Sequence, residues 1–294
     1  MSTRITQTMM NQTLLANLQT NYRNLSQTQQ ELSSGKKINK PSDDPVAAVR
    51  AMNYQSTLNE IDQYKRNVSD GSSWMQSTDS SLDEVTQVLQ RVRELTVQAG
   101  NSTNSSTDLQ AIKDEITQLS GHLVEVGNSE IGGRYLFGGT ATTTAPCDGS
   151  QNPPAVSNNN GAVNYQVGKG STVQINVTGN QVFNQNGGMF NVLKSITDSI
   201  DNGTNPSDQL NNLDAQINNV ITIRSDLGAR MNRMDLSSSR LDGLEQSTNN
   251  LMSNEVDVDI AQAYTNFSAQ QAVYNSALSA GAKIIQPSLV DFLK

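Results

Sequence analysis

Charge is the first thing this chain is short of. Asp, Glu, Lys and Arg make up 16% of its 294 residues, against about 25% in an average soluble domain. It holds one histidine, His122, one tryptophan, Trp74, and one cysteine, Cys147. A single cysteine excludes an internal disulfide. His122 has no second His or Cys near it in the sequence, so no local metal centre is built around it, and it reads as a surface or boundary residue. No run of eighteen apolar residues occurs, and the chain does not open on a basic stretch followed by an apolar one. The expectation is a soluble chain that does not insert into a membrane and that, if it leaves the cytoplasm, does so without a cleaved signal peptide.

Those shortages weigh against catalysis. An enzyme needs a convergent set of acids, bases or nucleophiles, and one Cys, one His and scattered carboxylates do not supply it. Cys147 lies in a Pro/Gly-rich stretch with no base within sequence reach. No cofactor cradle is visible either: Gly168 and Gly170 are not followed directly by a helix. A net charge of -8 and a pI near 4.7 disfavour nucleic acid as a partner.

What the chain has instead is Asn, Gln, Ser and Thr arranged around strong helical periodicity. Toward the C-terminus Val256, Ile260, Ala263, Phe267, Gln270, Tyr274, Ala277, Gly281 and Ile284 step by four and three throughout, the a/d seam of a helix that wraps around another helix. Near the N-terminus Leu15, Leu18, Tyr22, Leu25, Gln29 and Leu32 step in the same way. Both seams are thin, and neither buries enough alone to offset the ordering cost of its backbone. The simplest arrangement pairs the two ends side by side. Leu18, Tyr22, Leu25, Leu32, Ile260, Phe267, Tyr274 and Ile284 are the candidate assembly seam.

Between these ends, the first helix is expected over Ile5–Leu32 with Gly35 as a left-handed cap. Asp44 before Pro45 is a helix start, carboxylate at the N-cap and ring at N1; Asp43 and Asp44 read as capping rather than metal binding. From Pro45 one phase runs through Ile61, Val68, Gly71, Met75, Leu82, Leu89 and Ala99. That is a single helix of about 80 Å at 1.5 Å per residue, with Trp74 off its seam and free to meet a neighbouring segment. A third helix starts at Thr107, with Gln110 completing a capping box. Tyr135-Leu136-Phe137, then Val163/Tyr165/Val167 and Val173/Ile175/Val177, alternate as strands, and Gln181-Val182-Phe183 reads as one more after a turn. Helical period resumes at Phe190. A second long helix follows Asn205-Pro206, with Arg224 inside its apolar seam, and can lie antiparallel to the first. Asp257 and Asp259 open the terminal helix, where the dipole explains them.

The expected fold is therefore mainly α with a small β insert: elongated, with long antiparallel helices and the terminal helices paired as a coiled coil. Residues 1–43 and 254–294 form the paired ends, 44–140 and 185–253 a long-helix domain with a β hairpin, and 141–184 a small β domain. Two function classes fit, a self-assembling structural subunit and a secreted coiled-coil adhesin or effector. Ends that pair but cannot stand alone favour the first.

Leu32-Ser-Ser-Gly-Lys-Lys-Ile-Asn-Lys-Pro-Ser-Asp-Asp-Pro45 resembles the signature near the start of bacterial flagellins and their relatives. Asn67-Val-Ser-Asp-Gly71, Gln90-Arg-Val-Arg-Glu-Leu-Thr-Val-Gln98, Asn101-Ser-Thr-Asn104 and Pro287-Ser-Leu-Val-Asp-Phe-Leu293 continue the resemblance, which covers roughly residues 1–140 and 190–294. Lys-Pro-Ser-Asp-Asp-Pro, Arg134-Tyr-Leu-Phe-Gly-Gly-Thr140 and the small insert resemble the hook-associated branch that joins hook to filament more than filament flagellin. Cys147 departs from what an exported chain usually carries. The resemblance implies paired terminal helices lining an inner tube, an outward-facing insert, and export through the flagellar type III apparatus with a cytoplasmic chaperone. The partners it implies are further copies of the chain in a ring, the first hook-associated protein below and flagellin above.

Overall fold

The computed structural model describes residues 7–101 and 103–285. The chain divides into two compact units, Glu60–Leu244 and a second made of Met1–Asn59 with Glu245–Lys294.

Most of the core lies in Glu60–Leu244. Helix α2 (Pro45–Ala99) runs unbroken through Gly71, and Ile61, Val68, Met75, Leu82, Val85, Leu89, Val92 and Ala99 are all buried along its one apolar phase. Gly71 is where another side chain takes the space: a Cβ there would stand 2.6 Å from Met234 Cε. A second buried column, Trp74, Ser81, Val88 and Leu95, repeats every seven residues beside the first. So Trp74 is core rather than off-seam, with the Arg134 guanidinium 5.1 Å over its ring, a cation–π contact.

Helix α3 (Ser106–Gly127) joins α2 through Arg91 to Glu115 at 2.8 Å. Its capping box uses Ser105 and Asp108 rather than Thr107 and Gln110. The shift by two residues follows from Ser105 adopting the extended N-cap backbone, which places Asp108 at N3.

Three short antiparallel pairs follow: β1 (Glu130–Ile131) with β2 (Arg134–Tyr135), β3 (Cys147–Asp148) with β4 (Ala155–Val156), and β5 (Asn164–Gly168) with β6 (Ser171–Gln174). The strand expected at Gln181–Phe183 is instead one turn of helix, α4 (Gly179–Phe183). Thr178 accepts from the Gln181 backbone while the Gln181 side chain accepts from Thr178 N–H, and this reciprocal cap overrides the β-prone Val-Phe. Phe183 stacks on Phe190 and meets Phe137 edge-on, which ties α4 to α5 (Met189–Asp201).

Asn205 caps a 3-10 turn (Pro206–Gln209) that leads into α6 (Leu210–Val256). Within this unit α6 is antiparallel to α2. Lys65 meets Asp242, Arg224 meets Asp79 and Asp83, and Arg93 meets Asp214. As the number falls on one helix it rises on the other. Arg224 in the apolar phase of α6 is thereby explained: its Nε lies 3.0 Å from Asp79 and its Nη1 2.7 Å from Asp83.

In the other unit, α1 (Gln7–Ser34) ends at Gly35, which has φ +70° and donates back to Glu31 O at 2.9 Å. Ile5 lies outside the described residues. The linker then pairs with the end of α6: Lys37 N–H donates to Val256 O at 2.8 Å, and Val258 N–H to Gly35 O at 3.0 Å. Asp43 accepts from the Asn39 and Lys40 amides, and Asp44 accepts from those of Val46 and Ala47. Asp259 does the same for Ala261 and Gln262 at the start of α7 (Ile260–Ile285). Each carboxylate satisfies amides that a helix start or turn leaves open.

Candidate functional site: the face of the paired terminal helices

Helices α1 and α7 pack antiparallel. Thr28 Oγ1 donates to Gln270 Oε1 at 2.9 Å, the rings of Tyr22 and Tyr274 are 6.1 Å apart, and a Cβ on Gly281 would stand 2.8 Å from Leu14 Cδ2. Along α7 the inward positions are Ala263, Phe267, Gln270, Tyr274, Ala277 and Gly281, the expected phase. Ile260, expected on that seam, is 54% exposed. The side chain of Ile284 lies outside the described residues.

Along α1 the inward positions are Asn11, Leu14, Leu18, Asn21, Leu25, Thr28 and Leu32. Leu18, Leu25 and Leu32 stand where the periodicity puts them. Leu15, Tyr22 and Gln29 do not: Leu14, Asn21 and Thr28 replace them, and Leu15 and Tyr22 are 56% and 60% exposed. The reason lies across the interface. Thr28 turns its hydroxyl to Gln270, with Asn24 O also within reach at 3.0 Å so that the two acceptors share its one proton, and the polar layer of α7 thus selects the polar column of α1.

Positions seven apart form columns along a heptad helix, and a residue at i+4 lies between i and i+1. On α1 the column Leu18/Leu25/Leu32 is therefore flanked by the inward Leu14/Asn21/Thr28, half-buried to buried, and by the exposed Leu15/Tyr22/Gln29. On α7 the column Phe267/Tyr274/Gly281 is flanked by the inward Ala263/Gln270/Ala277, half-buried to buried, and by Tyr264/Gln271/Leu278. Tyr264 and Leu278 are exposed. On both helices the column turned outward carries larger side chains than the column turned inward. An open cavity of about 530 Å³ lies along it, lined by Leu15, Leu18, Gln19, Tyr22, Arg23 and Tyr274. Each helix thus leaves large apolar side chains exposed beside its inward column.

The other singled-out residues lie elsewhere. His122 is flanked by two carboxylates, Glu125 one turn along its own helix with Nδ1 3.6 Å away and the distant Glu84 on α2 with Nε2 2.8 Å away. Glu84 is 38 residues away and meets His122 only because α3 folds back on α2. Cys147 is buried beside Gly127, with its backbone amide and carbonyl both held by the Asn128 side chain. Burial pushes its thiol up to about 12, away from the range where a thiolate forms and reacts. Among the described residues no group of His, Cys, Asp and Glu could hold a metal ion, and no helix is long and apolar enough to cross a membrane.

Paired terminal helices with an unfilled apolar column, followed by long antiparallel helices and a small β insert, define a class of helical assembly subunits. The model of the bacterial flagellin N-terminal helical region matches residues 5–142, and that of the bacterial flagellin C-terminal helical region matches residues 210–293. The chain belongs to the bacterial flagellin family, a family of flagellar structural proteins. It is 29% identical over 257 residues to the flagellin of Bacillus subtilis, covering 81% of this chain and 82% of that one. It is 42% identical over 112 residues to the phase 1 flagellin of Salmonella naestved, where the match covers 38% of this chain and 22% of the other. Its fold is shared with a flagellar hook-associated protein from Vibrio parahaemolyticus (TM-score 0.69, 22% identity, 73% of this chain and 100% of that one). It is shared also with hook-associated protein-3 from Legionella pneumophila (TM-score 0.63, 14% identity, 68% and 97%).

Proposed function

We propose that this chain is the adaptor subunit that joins the flagellar hook to the filament. It closes laterally with copies of itself, rests on the first hook-associated protein and carries flagellin above. It leaves the cell without a cleaved signal peptide, through the flagellar export apparatus and with a cytoplasmic chaperone. It is not an enzyme. The domains are those of the sequence: residues 1–43 with 254–294 for the inner tube, 44–140 with 185–253 for the helical layer, and 141–184 facing outward.

The observation that carries the reading is the outward column of Leu15, Tyr22, Tyr264 and Leu278 on the paired terminal helices, which gives a soluble monomer a reason to assemble. The Arg134–Thr140 segment and the shared fold of two hook-associated proteins support the junction over the filament. The match to the Bacillus subtilis flagellin over most of both chains favours the second reading, filament flagellin.

Immunogold labelling of native flagella separates the two. A junction subunit labels one band between hook and filament, and a strain lacking it keeps bare hooks and sheds flagellin into the medium. Label along the whole filament overturns the junction reading.

A further inference from the structure

The hairpin of β5 and β6 closes on Gly168-Lys169-Gly170-Ser171. No helix opens behind these glycines, so the turn by itself offers an oxyanion one ammonium group and little else. The fold brings α6 to it. A Cβ on Gly168 would stand 2.9 Å from Arg240 Nη2, so the guanidinium uses the space that the missing side chain leaves. Arg233 stands seven residues before Arg240, which puts both on one face of α6 about 10 Å apart.

Lys169, Arg233 and Arg240 are all exposed, and among the described residues none of their side chains has an ion pair or hydrogen bond. Other arginines of this unit are committed. Arg91, Arg93, Arg224 and Arg230 each meet a carboxylate, in a chain with 28 Asp and Glu for 20 Lys and Arg. The reason for the difference is local. Three and four residues from Arg233 and Arg240 the helix carries Ala229, Arg230, Leu236, Ser237, Gly243 and Leu244, so no carboxylate reaches back along that face. Asp242, two residues past Arg240, is taken by Lys65 at 2.7 Å, and Asp235 lies about 200° round the helix from Arg233.

Two guanidinium forks and an ammonium group without internal partners suit oxyanions, which Arg binds bidentately. The spacing of the two arginines suits an extended polymer with acidic groups about 10 Å apart better than a single ion. The net charge of -8 does not oppose this, because charges more than about 8 Å away are screened at physiological salt. Single-stranded nucleic acid fits less well. It is held by aromatic side chains on which its bases stack, and the exposed aromatics of the described residues, Tyr22 and Tyr264, lie on the terminal helices. We propose that Lys169, Arg240 and Arg233 form a binding strip for an acidic polysaccharide, gripping its sulfate or carboxylate groups. The strip serves equally whether the chain sits at the junction or along the filament.

The test passes the full chain over immobilised heparin (sulfate), polygalacturonate (carboxylate) and dextran (uncharged), with a single-stranded oligothymidylate as the nucleic-acid arm. Surface plasmon resonance should show saturable binding to heparin or polygalacturonate, whichever acid the strip prefers, and none to dextran. Arg233→Gln with Arg240→Gln should weaken it about tenfold. Lys36→Gln with Lys40→Gln, the same charge change on the linker after α1, should leave it within about twofold. Gly168→Ala keeps the charge and crowds the Arg240 guanidinium, and should weaken binding about threefold with an unaltered circular-dichroism spectrum. No saturable binding to either acid, equal loss in the two charge variants, indifference to Gly168→Ala, or tighter binding of the oligothymidylate would each overturn the proposal.

Discussion

Thr28 and Gln270 hydrogen-bond to each other side chain to side chain, at 2.9 Å, across the apolar seam of the terminal helices. The pair is 242 residues apart in sequence. It sets the rotational phase of α1 against α7, because only with Thr28 turned inward does the Gln270 carbonyl oxygen meet a donor.

Thr28→Val keeps the shape and removes the donor. The expected cost is about 1 kcal/mol for one buried hydrogen bond whose acceptor is left behind. Thr28→Val with Gln270→Leu should recover most of it, since both polar partners go. Amide hydrogen exchange along α1 and α7 measures both. An equal loss in single and double variants would show that the bond does not set the phase.

Leu15→Ser with Tyr264→Ser alters only the outward column. Both side chains are already more than half exposed, so the thermal unfolding transition should stay within error of the parent. Incorporation into flagella should fail, because the apolar area offered to a neighbour is gone. A fall of several degrees in the transition would assign these residues to the fold of the monomer instead.

Asp108 gives a pH-dependent local signal. Its pKa is lowered, chiefly by the Ser105 hydroxyl and then by the Ser105 amide. A carboxylate with a depressed folded pKa contributes stability that is whole above the unfolded value of about 3.9. That contribution is lost as pH falls through the folded value. Amide shifts of the first turn of α3 should therefore be flat from pH 7 to pH 5 and titrate below pH 4. Ser105→Ala should move that titration upward. A midpoint unmoved by Ser105→Ala would refute the assignment.

Cys147 should be silent toward thiol reagents at pH 8 in the folded protein and react once the chain is unfolded in guanidinium, since burial holds it as the thiol. Gly127→Ala should expose it. The added Cβ would stand 2.6 Å from Cys147 Sγ and 3.3 Å from the Phe183 ring, an overpacking that costs about 1–3 kcal/mol. The rate of labelling under native conditions reads the effect. Unchanged labelling in Gly127→Ala would mean that the site yields without opening.

Much was written in the sequence by itself. The start of α2 was legible from Asp44-Pro45, a cap set by local chemistry, and its seam from Ile61 to Ala99, because that apolar phase persists along the helix; the neighbouring buried column of Trp74, Val88 and Leu95 was not. The phase of α7 from Ala263 to Gly281 was legible for the same reason, Gln270 included, while Ile260 at its start is exposed. Tertiary structure decided the rest. On α1 two apolar phases share Leu18, Leu25 and Leu32, and hydrophobicity alone favours Leu15 and Tyr22; only the partner helix, through Gln270, selects Asn21 and Thr28. Arg224 looked misplaced in an apolar seam until Asp79 and Asp83, more than 140 residues away, arrived opposite it. His122 had Glu125 one turn along its own helix, and the fold added Glu84 from α2. At Gln181–Phe183 a cap formed by Thr178 overrode the β propensity of Val182 and Phe183. Helical period and caps are set by neighbours within a few residues, so sequence reading reaches them. The choice between two equally periodic faces depends on what the chain brings back from far away.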